Sequence, residues 1–216
     1  FFLMGFAAFA TSNHVPVAES SGANILFILD ASGSMWGKVD GKSKIDIAKD
    51  VLKGLIKELP ETISVGLEVY GHRSKGDCED IEVLVPPGKR DRNTLLKKIE
   101  SIQPKGKTPI TKSLKLAGDF IKPLKGSRAI ILVSDGKETC GEEPCQLVRE
   151  LRRQGIKVTI HVVGFDVTDE EKQQLSCIAE AGGGKYFTAK NAVQLEKALK
   201  EVKEEVISLP KGKIVY

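Results

Sequence analysis

At 216 residues the chain is long enough for one domain with a full hydrophobic core and short flanking segments. Hydrophobic residues make up 41% and charged residues 29%, which excludes a disordered or fibrous chain. The formal net charge is only +4, lysines alternate with acidic residues, and no basic stripe interleaves with aromatics, which argues against nucleic acid as a partner.

In chain order, the apolar run 1–10, FFLMGFAAFA, comes first. It is too short to span a bilayer, and it ends on the small-residue pattern Ala8-Phe9-Ala10 that precedes a signal-peptidase cut. Residues 1–22 are therefore expected to be a signal peptide, truncated at its start, and a polar linker. The implied location is periplasmic, extracellular or associated with the cell envelope, and nothing after this run is long and apolar enough for a stable transmembrane span. A buried strand, or an anchor extending upstream, is the alternative.

Residues 25–30, ILFILD, are uniformly apolar up to their last position, as expected of a strand buried on both faces. Ile45, Ala48, Leu52, Leu55, Ile56 and Leu59 then recur at helical spacing, and Pro60 stops that helix. Residues 64–71 alternate through Val65, Leu67 and Val69 as a strand. The charged loop 72–80 is too short for a crossover helix, so the following strand, IEVLV, is expected to run antiparallel at the sheet edge. Asp91 is placed to cap a helix carrying Leu95, Leu96, Ile99 and Ile102. A further helix after Pro109 carries Ile110, Leu114, Ala117 and Ile121.

Residues 128–134, RAIILVS, predict another buried strand, followed by a helix through Leu147, Val148 and Leu151 that ends at Gly155. Next come a strand over 157–164 and a helix with Leu175, Ile178 and Ala179, opened by a Thr168/Glu171 capping box and stopped by Gly182 to Gly184. Strand 185–189 and a last amphipathic helix with Val193, Leu199, Val202 and Val206 complete the domain. After Pro210, residues 208–216 read as a linker or the start of a further domain. Strands alternating with helices predict a doubly wound α/β fold: a mostly parallel six-stranded sheet, one antiparallel edge strand and helices on both faces. Ligands of such sheets bind at the carboxyl ends of the strands, where the winding reverses.

Cys78, Cys140, Cys145 and Cys177 are expected to form two disulfides in an exported chain. Cys145 and Cys177 fall in helices expected to be neighbours on one face, while Cys78 and Cys140 both fall in loops at the carboxyl end of the sheet. A local Cys140–Cys145 bridge remains a rival pairing. A zinc site from Cys78, Cys140, Cys145 and His72 is a further alternative.

The chemistry concentrates where the first buried strand ends, in Asp30-Ala31-Ser32-Gly33-Ser34. One carboxylate and two hydroxyls at alternate positions of a tight turn converge oxygen donors of the kind hard divalent cations require. Alone the pattern is weak, because Asp and Ser are common turn residues. Two features strengthen it. Thr108 sits in Gly106-Lys107-Thr108-Pro109 just before a helix, and Asp135 ends a buried strand and precedes Gly136.

These three pieces, in this order, resemble the metal-ion-dependent adhesion site of the von Willebrand factor A family, over about residues 23–207. The stretches 70–73 and 134–140 resemble, more narrowly, bacterial exported members labelled calcium-activated chloride channel homologues; channel activity is not inferred from that label. The resemblance implies direct metal ligation by Ser32 and Ser34, and by Thr108 directly in a high-affinity state and otherwise through water. It implies that Asp30 and Asp135 hold bound waters and the serine hydroxyls. The ion is expected to be Mg2+, with Mn2+ or Ca2+ as alternatives, and the partner a protein presenting an Asp or Glu side chain to the metal.

Competing readings are weaker on the residues. A phosphate-binding loop ending in Gly106-Lys107-Thr108 needs a glycine where Ser101 stands. A phosphohydrolase nucleophile at Asp30 needs a second aspartate where Ser32 stands. A metal-dependent hydrolase of phosphate esters and a structural subunit of an envelope assembly are the alternative functions; no catalytic residues are assigned. Trp36 either packs over the metal loop or lies exposed as a partner contact. The acidic residues Asp77, Glu79, Asp80 and Glu82 either form a solvated loop or repel acidic competitors. His161, within a strand, reads as a packed core residue.

Overall fold

The computed structural model describes residues 22–87 and 92–208. The expected signal segment, the cap at Asp91 and the expected linker after Ser208 lie outside the described residues.

Strand β1 (Asn24–Asp30) is buried at all seven positions and lies at the centre of the sheet. A 3-10 turn (Gly33–Trp36) and a small hairpin, β2 (Lys38–Val39) and β3 (Lys42–Ser43), lead into helix α1 (Lys44–Glu58). The hairpin was not foreseen. Its turn is Asp40-Gly41, both with positive φ, the backbone that a two-residue hairpin loop requires. Ser43 caps α1 by accepting the Asp46 N–H. Strands β4 (Ser64–Tyr70) and β5 (Ile81–Val85) follow, then helices α2 (Arg92–Glu100) and α3 (Ile110–Ile121). The second half alternates strictly: β6 (Arg128–Ser134), α4 (Pro144–Arg153), β7 (Thr159–Phe165), α5 (Asp169–Ala181), β8 (Gly183–Ala189) and α6 (Ala192–Ser208).

The main sheet has the order β5-β4-β1-β6-β7-β8, with β5 antiparallel to β4 and every other pairing parallel. One apolar core joins one face of the sheet to α1, α2 and α6, and a second joins the other face to α3, α4 and α5. The chain winds from β1 towards β4 and β5, then returns to the other side of β1 for β6, β7 and β8. The loops leaving β1 and β6 therefore diverge to opposite faces, and the crevice between them is the place such sheets bind ligands.

Details differ from the expectations in instructive ways. Val193 is 75% exposed; the inward face of α6 is Leu195, Ala198, Leu199, Val202 and Val206. Two residues are roughly 200° of helical rotation, so Val193 and Leu195 face opposite ways. Ile102 lies beyond the end of α2 yet is buried. The expected helix stop at Gly182 to Gly184 is in part strand: Gly182 caps α5 and β8 begins at Gly183, two residues earlier than its apolar pattern.

Gly184 is required by close packing, since a Cβ there would meet the Ile160 carbonyl oxygen at 2.1 Å. Gly54, within α1, has nothing within 4 Å of a Cβ. Gly184→Ala is expected to destabilise the fold by about 1–3 kcal/mol, whereas Gly54→Ala should stabilise it by about 0.5–1 kcal/mol through helix propensity. Urea denaturation of both variants checks the contrast; equal midpoints would contradict it.

Candidate metal centre

Asp30 is the last residue of β1, and β4 and β6 flank it, so its carboxylate has no access to solvent. Its Oδ1 accepts the Ser32 N–H at 2.7 Å and its Oδ2 accepts the Ser134 hydroxyl at 2.6 Å. Ser134, at the end of β6, in turn accepts a hydrogen bond from the Tyr70 hydroxyl at 3.1 Å. Asp30 thus shapes the turn by holding its backbone, and it is tied to the neighbouring strand end.

Beyond Asp30 the hydroxyls point outward as a ladder. Ser32 Oγ and Ser34 Oγ are 2.9 Å apart, and Ser34 Oγ donates to Asp135 Oδ1 at 2.6 Å. The other oxygen of Asp135 faces Lys44 Nζ at 3.2 Å, and the same ammonium lies 3.1 Å from Asp166 Oδ2. Residues from the ends of β1 and β6 therefore meet across the crevice.

Thr108 reaches this rim on its own loop. Gly106 bridges Ser32 in parallel register, with the Gly33 N–H bonded to the Gly106 carbonyl at 3.0 Å. Lys105 N–H lies 3.0 Å from the Ala31 carbonyl and 2.9 Å from that of Gly71, which also accepts the Gly106 N–H at 2.8 Å. Gly71 has φ +67°, and a Cβ there would meet the Lys107 carbonyl oxygen at 2.5 Å, so only glycine fits. Thr108 is 4% exposed, its backbone pairs with Thr139, and its hydroxyl has no hydrogen-bond partner among the described residues. Asp30, Ser32, Ser34 and Asp135 form one bonded network. Thr108 joins them through its backbone loop and not by a side-chain bond.

The electrostatics favour a cation. Burial raises the Asp30 carboxyl above its ordinary range, against the hydrogen bonds from Ser134 and Ser32. Asp135 is pushed up to about 6, first by burial and then by the charge of Asp30, while Ser34 and Lys44 pull it back. Two acids share the crevice with one lysine, which itself is shared with Asp166. The donor set of hydroxyls and carboxylates, all oxygen, fits a hard divalent ion, and a double positive charge would relieve both buried carboxylates.

Other predicted residues find clear places. Trp36 is 50% exposed, and its indole N–H donates to the Pro104 carbonyl at 2.9 Å, so it is both pinned to the rim and open to solvent. Cys78 is bonded to Cys140 and Cys145 to Cys177, which removes the local Cys140–Cys145 pairing and leaves no thiolate for zinc. Three of the four acidic residues around this loop have cationic partners. Asp80 is buried and accepts from the backbone of Arg73 and Ser74 and from Arg73 Nε. Glu82 pairs with Arg73, and Glu79 with Lys112. His161 is buried in β7 and accepts the Lys185 N–H.

Lys44, Tyr70, Ser134 and Asp166 escaped the sequence reading as parts of this centre. Ser134 carried the one usable signal, its position immediately before Asp135 at the end of a buried strand.

Comparison with known proteins agrees with this architecture. The family model of the von Willebrand factor type A domain matches residues 24–201. Uncharacterized protein YwmC of Bacillus subtilis (strain 168) is 36% identical over 184 residues, covering 81% of this chain and 80% of that protein. Among solved structures, a von Willebrand factor type A protein from Catenulispora acidiphila superposes with a TM-score of 0.70 at 21% identity, over 87% of this chain and 43% of that one. Proximal thread matrix protein 1 from the mussel byssus, in a form with a zinc-occupied MIDAS motif, gives 0.67 at 19% identity, over 88% and 47%. This chain thus spans less than half the length of those two solved proteins. A match along most of the chain, on a sheet of this order and winding, places the protein in the von Willebrand factor type A family.

Proposed function

We propose that the domain is a binding module that holds one divalent cation, Mg2+ or a similar ion such as Mn2+ or Ca2+, and uses it to capture a protein partner. Ser32, Ser34 and Thr108 would hold the ion, with Asp30 and Asp135 orienting the serine hydroxyls and bound waters. The observation that carries this reading is the Asp30, Ser32, Ser34 and Asp135 network across the β1–β6 crevice. With few anionic direct ligands, a bound ion supplies an electrophilic position for an Asp or Glu side chain of the partner. Trp36, exposed and held at the rim, is the proposed apolar contact beside that carboxylate. The zinc-occupied motif named for the mussel protein supports a divalent ion at this place in the fold.

Export, to the periplasm or the cell exterior, is part of the same proposal. Two disulfides support it, since such bonds persist in oxidising compartments. No helix among the described residues is long and apolar enough to cross a membrane, and the resemblance to proteins labelled channel homologues adds no transport role.

Isothermal titration of the metal-free protein with Mg2+ and Mn2+ tests the ion directly, and one saturable site is expected. Envelope extract passed over the immobilised domain should then yield a partner that chelator elutes. Turnover of phosphoester substrates that chelator stops would replace this reading with a hydrolase. Chelation that lowers the melting temperature without releasing a partner would replace it with a structural subunit.

A further inference from the structure

Thr108 belongs to the only part of the proposed centre that is not attached to a strand end. Its loop is gripped from two directions. On one side Gly71, at the exit of β4, accepts the N–H groups of Lys105 and Gly106 at 2.9 and 2.8 Å. On the other side Thr139 closes a two-bond bridge. The Thr108 N–H donates to Thr139 Oγ1 at 2.8 Å, and the Thr139 N–H donates to the Thr108 carbonyl at 3.1 Å.

Thr139 is itself held by its neighbours. Glu138 is buried, and its Oε2 accepts both the N–H and the hydroxyl of Thr111, at 2.8 and 3.0 Å, in the first turn of α3. Its Oε1 accepts the Cys140 N–H at 2.7 Å. Cys140 is bonded to Cys78, in the loop that leaves Gly71. The path therefore closes: Gly71, through the loop to Cys78, across the sulfurs to Cys140, to Thr139, to Thr108, and back through Gly106 to Gly71. The same short segment, 135–140, begins with Asp135 and so fixes two members of the centre relative to each other.

We infer that Glu138, Thr139 and the Cys78–Cys140 disulfide are positioning elements that hold Thr108 in place for the metal, so that opening this one bond weakens metal binding while the other disulfide has no such effect. The inference rests on the metal site proposed above. Cys145–Cys177 joins α4 to α5 and is not a member of the closed path, although Gln174 of α5 accepts the Glu138 N–H at 2.8 Å, and it serves as the internal control. Both cysteine pairs are expected to cost stability when removed, so stability alone does not separate them. Chemical opening is equivalent to mutation. A dithiol delivers two electrons and two protons to the Cys78–Cys140 bond, which becomes two thiols, and the dithiol becomes a disulfide.

The test uses the whole chain and two readouts. Mn2+ and Mg2+ affinities are measured by calorimetry, and amide exchange at Thr108 and Thr139 is measured in the metal-free protein. Cys78→Ala/Cys140→Ala should bind metal roughly tenfold more weakly, the size typical when a residue orienting a ligand is lost, and should lose protection at both amides. Cys145→Ala/Cys177→Ala should bind as the native chain does, and lose affinity only when a dithiol is added. Thr139→Val should weaken binding, and Thr139→Ser, which keeps the hydroxyl, should restore it. Native affinity in the Cys78/Cys140 and Thr139→Val variants, in a chain that does bind metal, overturns the inference. If the native chain binds no metal, the function proposed above fails. The exchange data then decide the brace alone: unchanged protection at Thr108 in the Cys78/Cys140 variant overturns it, and lost protection upholds it.

Discussion

Ser32→Ala and Asp30→Ala are each expected to reduce Mg2+ affinity by about 100-fold or more and to abolish metal-dependent capture of the partner. The two reach that result by different routes. Removing the Ser32 hydroxyl takes away a proposed ligand and the 2.9 Å contact to Ser34, yet the turn stays in place. Its backbone is still held by the Asp30 carboxylate and by the Gly106 bridge. Ser32→Ala should therefore melt within about 1 kcal/mol of the native protein. Asp30→Ala leaves the buried Ser32 N–H without its acceptor and the Ser134 hydroxyl with the longer bond to the Gly136 carbonyl at 3.1 Å, a cost of about 1–3 kcal/mol. Part of that is offset because a carboxylate that burial disfavours has been removed. Loss of orientation around a metal alone accounts for 10–100-fold in affinity, and loss of a buried charge facing the cation adds to it. Calorimetric titration of both variants, each checked for a cooperative melt, is the measurement. Unchanged Mg2+ affinity in both would remove the site assignment.

Much of the architecture was legible because it depends on burial, which leaves a compositional trace. The runs ILFIL and AIILV have no polar interruption, as a strand covered on both faces must, and they became the cores of β1 and β6. The capping box at Thr168 and Glu171 is a local device and forms both of its bonds. Asp30 stood out because it ends such a run and Asp135 because it directly follows one, and parallel strands carry their ends to the same edge of the sheet.

What stayed hidden depends on contacts between segments far apart in the chain. Lys44 is one lysine among many in sequence, and its place beside Asp135 follows from how the small hairpin delivers the start of α1 to the crevice. Tyr70 bonds Ser134 across β1, a contact that needs the strand order to be known. The bridge between Thr108 and Thr139 spans two loops, and no periodicity encodes it. Val193 was misplaced for a different reason: an apolar residue in the first turn of a helix satisfies a composition count but not the angular position of the face.

Glu68 was equally silent, and its pH response is large. The alternation through Val65, Leu67 and Val69 says nothing of the opposite face of β4, which α3 covers. Glu68 lies there with no solvent access, with Oε1 accepting the Ser113 hydroxyl at 2.5 Å and Oε2 without a hydrogen-bond partner among the described residues. Burial lifts its carboxyl from 4.5 to about 8, against the pull of Ser113. Below pH 4.5 the folded and unfolded chains both hold this proton, and the group contributes no pH dependence. Between 4.5 and about 8 the unfolded chain has released the proton and the folded chain keeps it, so stability falls as pH rises, by about 1.4 kcal/mol per pH unit at most. Above about 8 both forms are ionised and a constant penalty of about 5 kcal/mol remains. Glu68→Gln is neutral throughout and retains the acceptor for Ser113. Its stability relative to the native chain should therefore rise by about 4 kcal/mol from pH 5 to pH 9, while contributions from other titrating groups cancel in the difference. Urea denaturation of both proteins at pH 5, 7 and 9 measures it, and a difference that stays constant across that range would show that Glu68 ionises normally inside the fold.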